Sequence, residues 1–135
     1  MPRIVVLDSL SPEGLKLLEE SRAKGVEYQV RTGLKGDALR ETLAEFEGAI
    51  CRSGVKITAD VLAGNHKLKA IVRAGVGTDN IDKDAATRLG IVVMNTPAGN
   101  TLSTAEHTWA LILALSRNVA PAYQSLIEHK WDRNK

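Results

Sequence analysis

Short β-branched runs recur along the chain, with helix-patterned stretches between them. Ile4 to Asp8, Glu27 to Arg31, Ala49 to Arg52, Lys69 to Ala74 and Ile91 to Met94 each read as a strand. The stretches between carry helix start and stop signals. Ser11 stands before Pro12 and caps a helix running to Ala23, because a hydroxyl satisfies an orphan N–H and proline loses nothing at the first helical position. Further helices are read over Gly36 to Phe46, over Ala59 to Gly64 behind a Thr58 cap, and over Asp82 to Leu89, which Gly90 ends. Strands alternating with helices predict an α/β fold with a parallel sheet and helices on both faces. The runs IVVLD and IVVM are continuously apolar up to any closing acid, the pattern of strands buried on both faces.

After the fifth strand the pattern changes. Asn95-Thr96-Pro97-Ala98-Gly99-Asn100 is a turn-rich loop, leading to a helix from about Leu102 to Arg117 and a shorter one from about Ala122 to Trp131. The stretch WALILAL, Trp109 to Leu115, is apolar around its whole circumference, whereas a helix laid on one sheet face needs a single apolar stripe. Burial on two sides is expected. Residues 1–98 therefore read as one domain, and residues 99–135 as crossover helices built for a partner outside this sequence, a second domain or a second copy.

Composition narrows the partners. The chain has 135 residues, 44% hydrophobic and 25% charged, which suits one folded core. Eighteen basic residues against sixteen acidic ones leave +2 without any run of like charge, so neither nucleic acid nor an anionic membrane is expected as a partner. The longest apolar run is too short for a membrane span. The sole cysteine, Cys51, lies in the apolar AICR and reads as a buried, reduced thiol of a cytoplasmic protein. No metal ligands are expected.

Candidate chemistry gathers at the strand ends. Gly75-Val76-Gly77-Thr78-Asp79-Asn80 follows a strand but departs from the dinucleotide fingerprint G-x-G-x-x-G/A at Asn80, lacks the later ribose-binding acid, and follows the fourth strand rather than the first. For a flavodoxin-like, doubly wound five-stranded sheet in the order 2-1-3-4-5, the ligand crevice lies at the carboxyl ends of the strands. There stand Asp8-Ser9, Arg52-Ser53-Gly54 and Arg73 to Gly77. Two guanidinium forks, a hydroxyl and a glycine loop with free N–H groups suit a small anion carrying carboxylate, phosphate or both. The competing reading has Arg52 and Arg73 satisfying strand-end carbonyls or pairing with Asp8 or Asp79. A phospho-acceptor receiver domain is excluded, because the third strand ends in arginine where that domain needs an aspartate.

Taken together, CRSGVKIT, VRAGVGTDNIDKDAATRLGIVVMNTPAGNTLSTAEHT and KWDR resemble the D-isomer-specific 2-hydroxyacid dehydrogenases, nearest to the members acting on 3-phosphoglycerate. The resemblance implies a longer protein whose substrate-binding and nucleotide-binding domains flank a cleft, with this chain covering the first half of the former and the first crossover helices. It implies that Arg52 and Ser53 contact substrate, that Arg73 helps to hold its phosphate, and that the N–H groups of Gly75, Val76 and Gly77 face its carboxylate. Val76 is also implied near the nicotinamide of NAD, Asn100 in the cleft lining, Thr104 near the cofactor phosphates, and helix 102–117 in a homodimer. The catalytic arginine, glutamate and histidine and the NAD-binding fingerprint are expected beyond residue 135, with no catalytic residue here; His66, His107 and His129 are expected to be structural or surface groups. The implied activity is NAD-dependent oxidation of a small phosphorylated 2-hydroxy acid, 3-phosphoglycerate to 3-phosphohydroxypyruvate on a route to serine, which this chain alone would not complete. A hydroxypyruvate or glyoxylate reductase fragment and a non-catalytic small-anion-binding module are the alternatives.

Overall fold

The computed structural model describes residues 1–131 and falls into two compact units, Met1–Gly99 and the residues from Asn100 onward. The first unit is built from β1 (Arg3–Val6), α1 (Pro12–Ser21) with a 3-10 turn after it (Arg22–Lys24), β2 (Glu27–Val30), α2 (Gly36–Leu43), β3 (Gly48–Cys51), α3 (Ala59–Leu62), β4 (Ala70–Arg73), α4 (Lys83–Arg88) and β5 (Val92–Asn95). The second holds α5 (Thr101–Ser116) and α6 (Val119–Ile127). The five strands pair in parallel in the expected order β2-β1-β3-β4-β5. No helix among the described residues is long and apolar enough to cross a membrane.

Register decides which side chains share a face. Val5, Ala49, Ile71 and Val93 stand in line across β1, β3, β4 and β5, and with Leu7 and Cys51 they form the floor of the core. Leu39 and Leu43 of α2, Val61 and Leu62 of α3, and Ala85 and Ala86 of α4 close over it, joined by Phe46, Ile57 and Ile81. The opposite face carries Ile4, Ile50 and Val72, all half-buried, and on that side Tyr28 reaches from β2 to donate to Glu19 of α1 at 3.0 Å.

Caps explain where helices begin. Ser11 Oγ accepts the Gly14 N–H at 3.2 Å, and Asp82, read as helical from the sequence, is instead the N-cap of α4, accepting from Ala85 N–H at 2.8 Å. Thr58 makes no side-chain cap bond. Gly90, at φ 70°, ends the α4 segment in the left-handed conformation that glycine adopts without a Cβ penalty. In the second unit Asn118 takes φ 52°, which breaks α5, and α6 starts immediately at Val119 rather than after Pro121. Pro121 falls in its first turn, where a missing N–H costs no helical bond.

One burial expectation fails. Most of IVVM lies in the edge strand β5, with Val92 57% and Met94 45% exposed, because the first unit covers only the face that carries Ile91 and Val93. Helix α5 buries no residue, and Trp109, Leu111, Leu113 and Leu115 are exposed; the partner expected to cover them lies outside this sequence.

Phe46 is fully buried, with the Arg3 and Arg31 guanidinium carbons 4.7 and 5.1 Å from its ring centroid. Phe46→Ala removes both the core filling and the two cation–π contacts, and should destabilise by about 3–5 kcal/mol in urea unfolding. Leu17→Ala, on the exposed side of α1, should change stability by less than about 0.5 kcal/mol.

Candidate functional site

Parallel pairing brings the carboxyl ends of β1, β3, β4 and β5 to one sheet edge, and the ladder runs slightly past the strands. Leu7 N–H donates to Ile50 O at 2.8 Å, Ala74 N–H to Cys51 O at 2.8 Å, and Thr96 N–H to Gly75 O at 3.0 Å. The residues immediately beyond are Asp8, Arg52-Ser53-Gly54, and Arg73 to Gly77, with Asn95 beside Arg73.

The Arg52 turn is held by its backbone. Its N–H donates to Asp8 Oδ2 at 2.6 Å, and its carbonyl accepts from Asn80 Nδ2 at 2.8 Å. The guanidinium is exposed, and its one hydrogen bond among the described residues is a long 3.5 Å bond from Nη1 to Ser9 O. Gly54 is required by space rather than by φ, since a Cβ there would collide with Asp8 Oδ1.

Arg73 pairs in register with Cys51, two residues on from the core residue Ile71, so its stem lies over the end of the core. Its Nε is buried without a partner among the described residues. Its Nη1 lies 2.7 Å from where a Gly75 Cβ would sit and 3.5 Å from a Gly77 Cβ, so the glycines let the guanidinium fold back over its own loop. Val76 is 42% exposed, and its carbonyl accepts from Asn95 Nδ2 at 2.7 Å. Among the described residues, the N–H groups of Ser53, Gly54, Val76 and Gly77 donate to no acceptor, and neither Arg52 nor Arg73 forms an ion pair. Asp8 is engaged by the Arg52 backbone, not by its guanidinium. The edge thus collects donors without acceptors among the described residues, the chemistry of an anion site, although the Asp79 carboxylate lies near Gly77 and Asn80 Oδ1 is an unpaired acceptor there.

Six of the candidate residues meet at this edge: Arg52, Ser53, Arg73, Gly75, Val76 and Gly77. Asn100 and Thr104 belong to the second unit. There Asn100 precedes α5 and makes no side-chain cap bond, and its carbonyl accepts from Thr104 N–H at 2.9 Å; both residues are exposed. Sequence reading missed the roles of Asp8, Asn80 and Asn95. Their only local signal is a carboxylate or amide placed directly after a strand or glycine turn, where loop backbone needs partners. His66 is exposed and precedes β4, at the opposite sheet edge, while His107 lies exposed on α5 and His129 follows α6 at φ 57°.

The glycine loop does not fit a dinucleotide pyrophosphate. No helix starts from it; Ile81 instead bridges in parallel to Ile57, and the short α4 that follows has the Asp82 carboxylate on its N-terminal N–H. That carboxylate stands where a pyrophosphate would have to sit.

A family profile described as D-isomer specific 2-hydroxyacid dehydrogenase, catalytic domain, matches residues 4–130. The chain belongs to that family. Dehydrogenases of this family are oxidoreductases. Its similar members include the D-3-phosphoglycerate dehydrogenase of Archaeoglobus fulgidus, 43% identical over 98% of this chain and 25% of that protein. The human D-3-phosphoglycerate dehydrogenase is 44% identical over 98% of this chain and 24% of its own length. The chain therefore spans about a quarter of these relatives. Among solved structures, the NAD+-bound 3-phosphoglycerate dehydrogenase of Entamoeba histolytica superimposes with a TM-score of 0.72 at 33% identity, over 84% of this chain and 38% of that one. Of the KWDR stretch that contributed to the family resemblance, Asp132 and Arg133 lie outside the described residues.

Beneath the edge lies Cys51, free and buried. Burial, and after it the Asp8 carboxylate, push its thiol up to about 11, so it stays neutral at physiological pH. A raised folded value means that Cys51's contribution to stability is intact below its unfolded value and falls away as pH rises from 9 toward about 11. Cys51→Ser should flatten that alkaline fall in denaturation curves, and the native thiol should resist alkylation at pH 8; rapid labelling of the folded chain would contradict this account.

Proposed function

We propose that this chain is the substrate-binding part of an NAD-dependent D-3-phosphoglycerate dehydrogenase. Residues 1–98 form the first half of the substrate-binding domain, and residues 99–135 are crossover helices leading toward a nucleotide-binding domain. Arg52, Ser53, Arg73 and the Gly75-Val76-Gly77 loop hold the substrate, a small phosphorylated 2-hydroxy acid. The observation that carries the reading is two arginines without ion pairs beside backbone N–H groups without acceptors among the described residues, all on one sheet edge. Two such cationic groups suit a ligand with two anionic ends, and the identities to D-3-phosphoglycerate dehydrogenases support 3-phosphoglycerate as that ligand.

Asn100 as a cleft residue, and Val76 and Thr104 as neighbours of the cofactor, rest on the family likeness. NAD is the cofactor we assign to the complete activity, supported by the NAD+-bound relative, and the glycine loop is not its pyrophosphate site. The 135-residue chain by itself is proposed to bind without turnover, since no histidine stands among the strand-end donors described.

Calorimetric titration with 3-phosphoglycerate should give a dissociation constant of roughly 1 mM, as expected for a partial site. Arg52→Ala and Arg73→Ala should each weaken binding by about tenfold or more, since a charge-assisted bond contributes about 1.5–3 kcal/mol. Glycerate, which lacks the phosphate, should bind more weakly than 3-phosphoglycerate to the wild-type chain. Equal binding by the wild type and both variants would return the arginines to a structural role.

The apolar surface of α5 is assigned to a second copy of the chain. Trp109, Leu111, Ile112, Leu113 and Leu115 are all exposed, and each such side chain left in water forgoes about 1.5–3 kcal/mol of burial. Trp109→Glu with Ile112→Glu should raise the monomer fraction in sedimentation while leaving far-UV circular dichroism native. A wild-type chain that sediments as a monomer at every concentration would contradict the dimer.

A further inference from the structure

We propose that Asn80 is a positioning residue that ties the Arg52 turn to the Arg73 loop, so that both guanidinium groups meet one ligand. The inference rests on the anion-site reading above. Asn80 follows the glycine loop, and its amide nitrogen donates at 2.8 Å to Arg52 O and at 2.8 Å to Val55 O, the carbonyls at the two ends of the exposed turn. Both donors of the amide are thereby committed, which fixes its orientation. Its backbone carbonyl accepts from Ile57 N–H at 2.8 Å, and Ile57 O accepts from Asp82 N–H at 2.8 Å. The segment after the glycine loop is thus joined to the segment after Arg52 by side chain and backbone together.

The other flank of the turn is held by Asp8, which takes the Arg52 N–H and fills the space that Gly54 leaves open. Asp8 fixes the turn to β1, and Asn80 fixes it to the loop that follows β4. Without the Asn80 amide the turn keeps its β1 anchor and the flanking backbone bonds, and loses the side-chain bonds that fix its two ends to the segment after the glycine loop. Ile57 and Ile81 are buried and keep their own backbone bridge, so the substitution loosens an exposed turn rather than the core. No isosteric residue replaces the amide: an aspartate would set a carboxylate against two carbonyl oxygens.

The test is a double-mutant cycle in the 135-residue chain, read by titration with 3-phosphoglycerate. Asn80→Ala should raise the dissociation constant about tenfold, and Asn80→Ser, which keeps one donor, about threefold. Adding Asn80→Ala to Arg52→Ala should change binding by less than about twofold, because Asn80 acts through the turn that Arg52 occupies. A residue that merely stabilises the fold would instead give losses that multiply. Wild-type affinity in either Asn80 variant, or multiplying losses in the double variant, would overturn the inference while leaving the anion site standing, provided that Arg52→Ala alone weakens binding. No binding by the wild-type chain, or binding that Arg52→Ala leaves unchanged, would overturn the anion site and this inference with it.

Discussion

Parallel strand pairing ends every strand of the sheet on the same edge as its neighbours, and the chemistry of the first unit follows from that constraint. Register sets Cys51, Arg73 and Asn95 side by side on β3, β4 and β5. The residues one step further, Asp8 and Arg52, are then close enough for a 2.6 Å hydrogen bond although 44 positions separate them in sequence. An antiparallel sheet would have sent alternate strand ends to opposite edges, and the two arginines would not have met.

The edge is also where the apolar core stops. Ile71 is fully buried and Arg73, next on the same face, is half-buried, so the guanidinium stem seals the core while its head lies over the glycine loop. Arg73 Nε and Asn80 Oδ1 are both buried without partners among the described residues, a donor and an acceptor at the layer where core gives way to solvent. Buried groups of this kind are costly unless a polar partner meets them. Cys51, by contrast, is held neutral by the same burial.

Much of this arrangement was legible in the sequence because strands and caps leave local marks. The alternation of IVVLD-like runs with capped helical stretches led to the order β2-β1-β3-β4-β5, and strand ends then pointed to Arg52, Arg73 and the glycine loop. Asn80 was visible only as the residue that breaks a dinucleotide fingerprint. Its role depends on carbonyls 28 and 25 positions away, and no periodicity records a hydrogen bond of that span. Exposure was misjudged for a different reason at IVVM, which is apolar enough for burial on both faces, but composition states what a segment needs and not whether the fold supplies the cover.

The central claim is that the Arg52 turn and the Gly75–Gly77 loop act as a single anion site. Backbone amide shifts of the nitrogen-15-labelled chain, followed through a titration with 3-phosphoglycerate, test it most directly. The account predicts that the amides of Ser53, Gly54, Val76 and Gly77 shift together along one binding curve, those being N–H groups without acceptors among the described residues. Shifts confined to one of the two segments, or two segments following different curves, would contradict it.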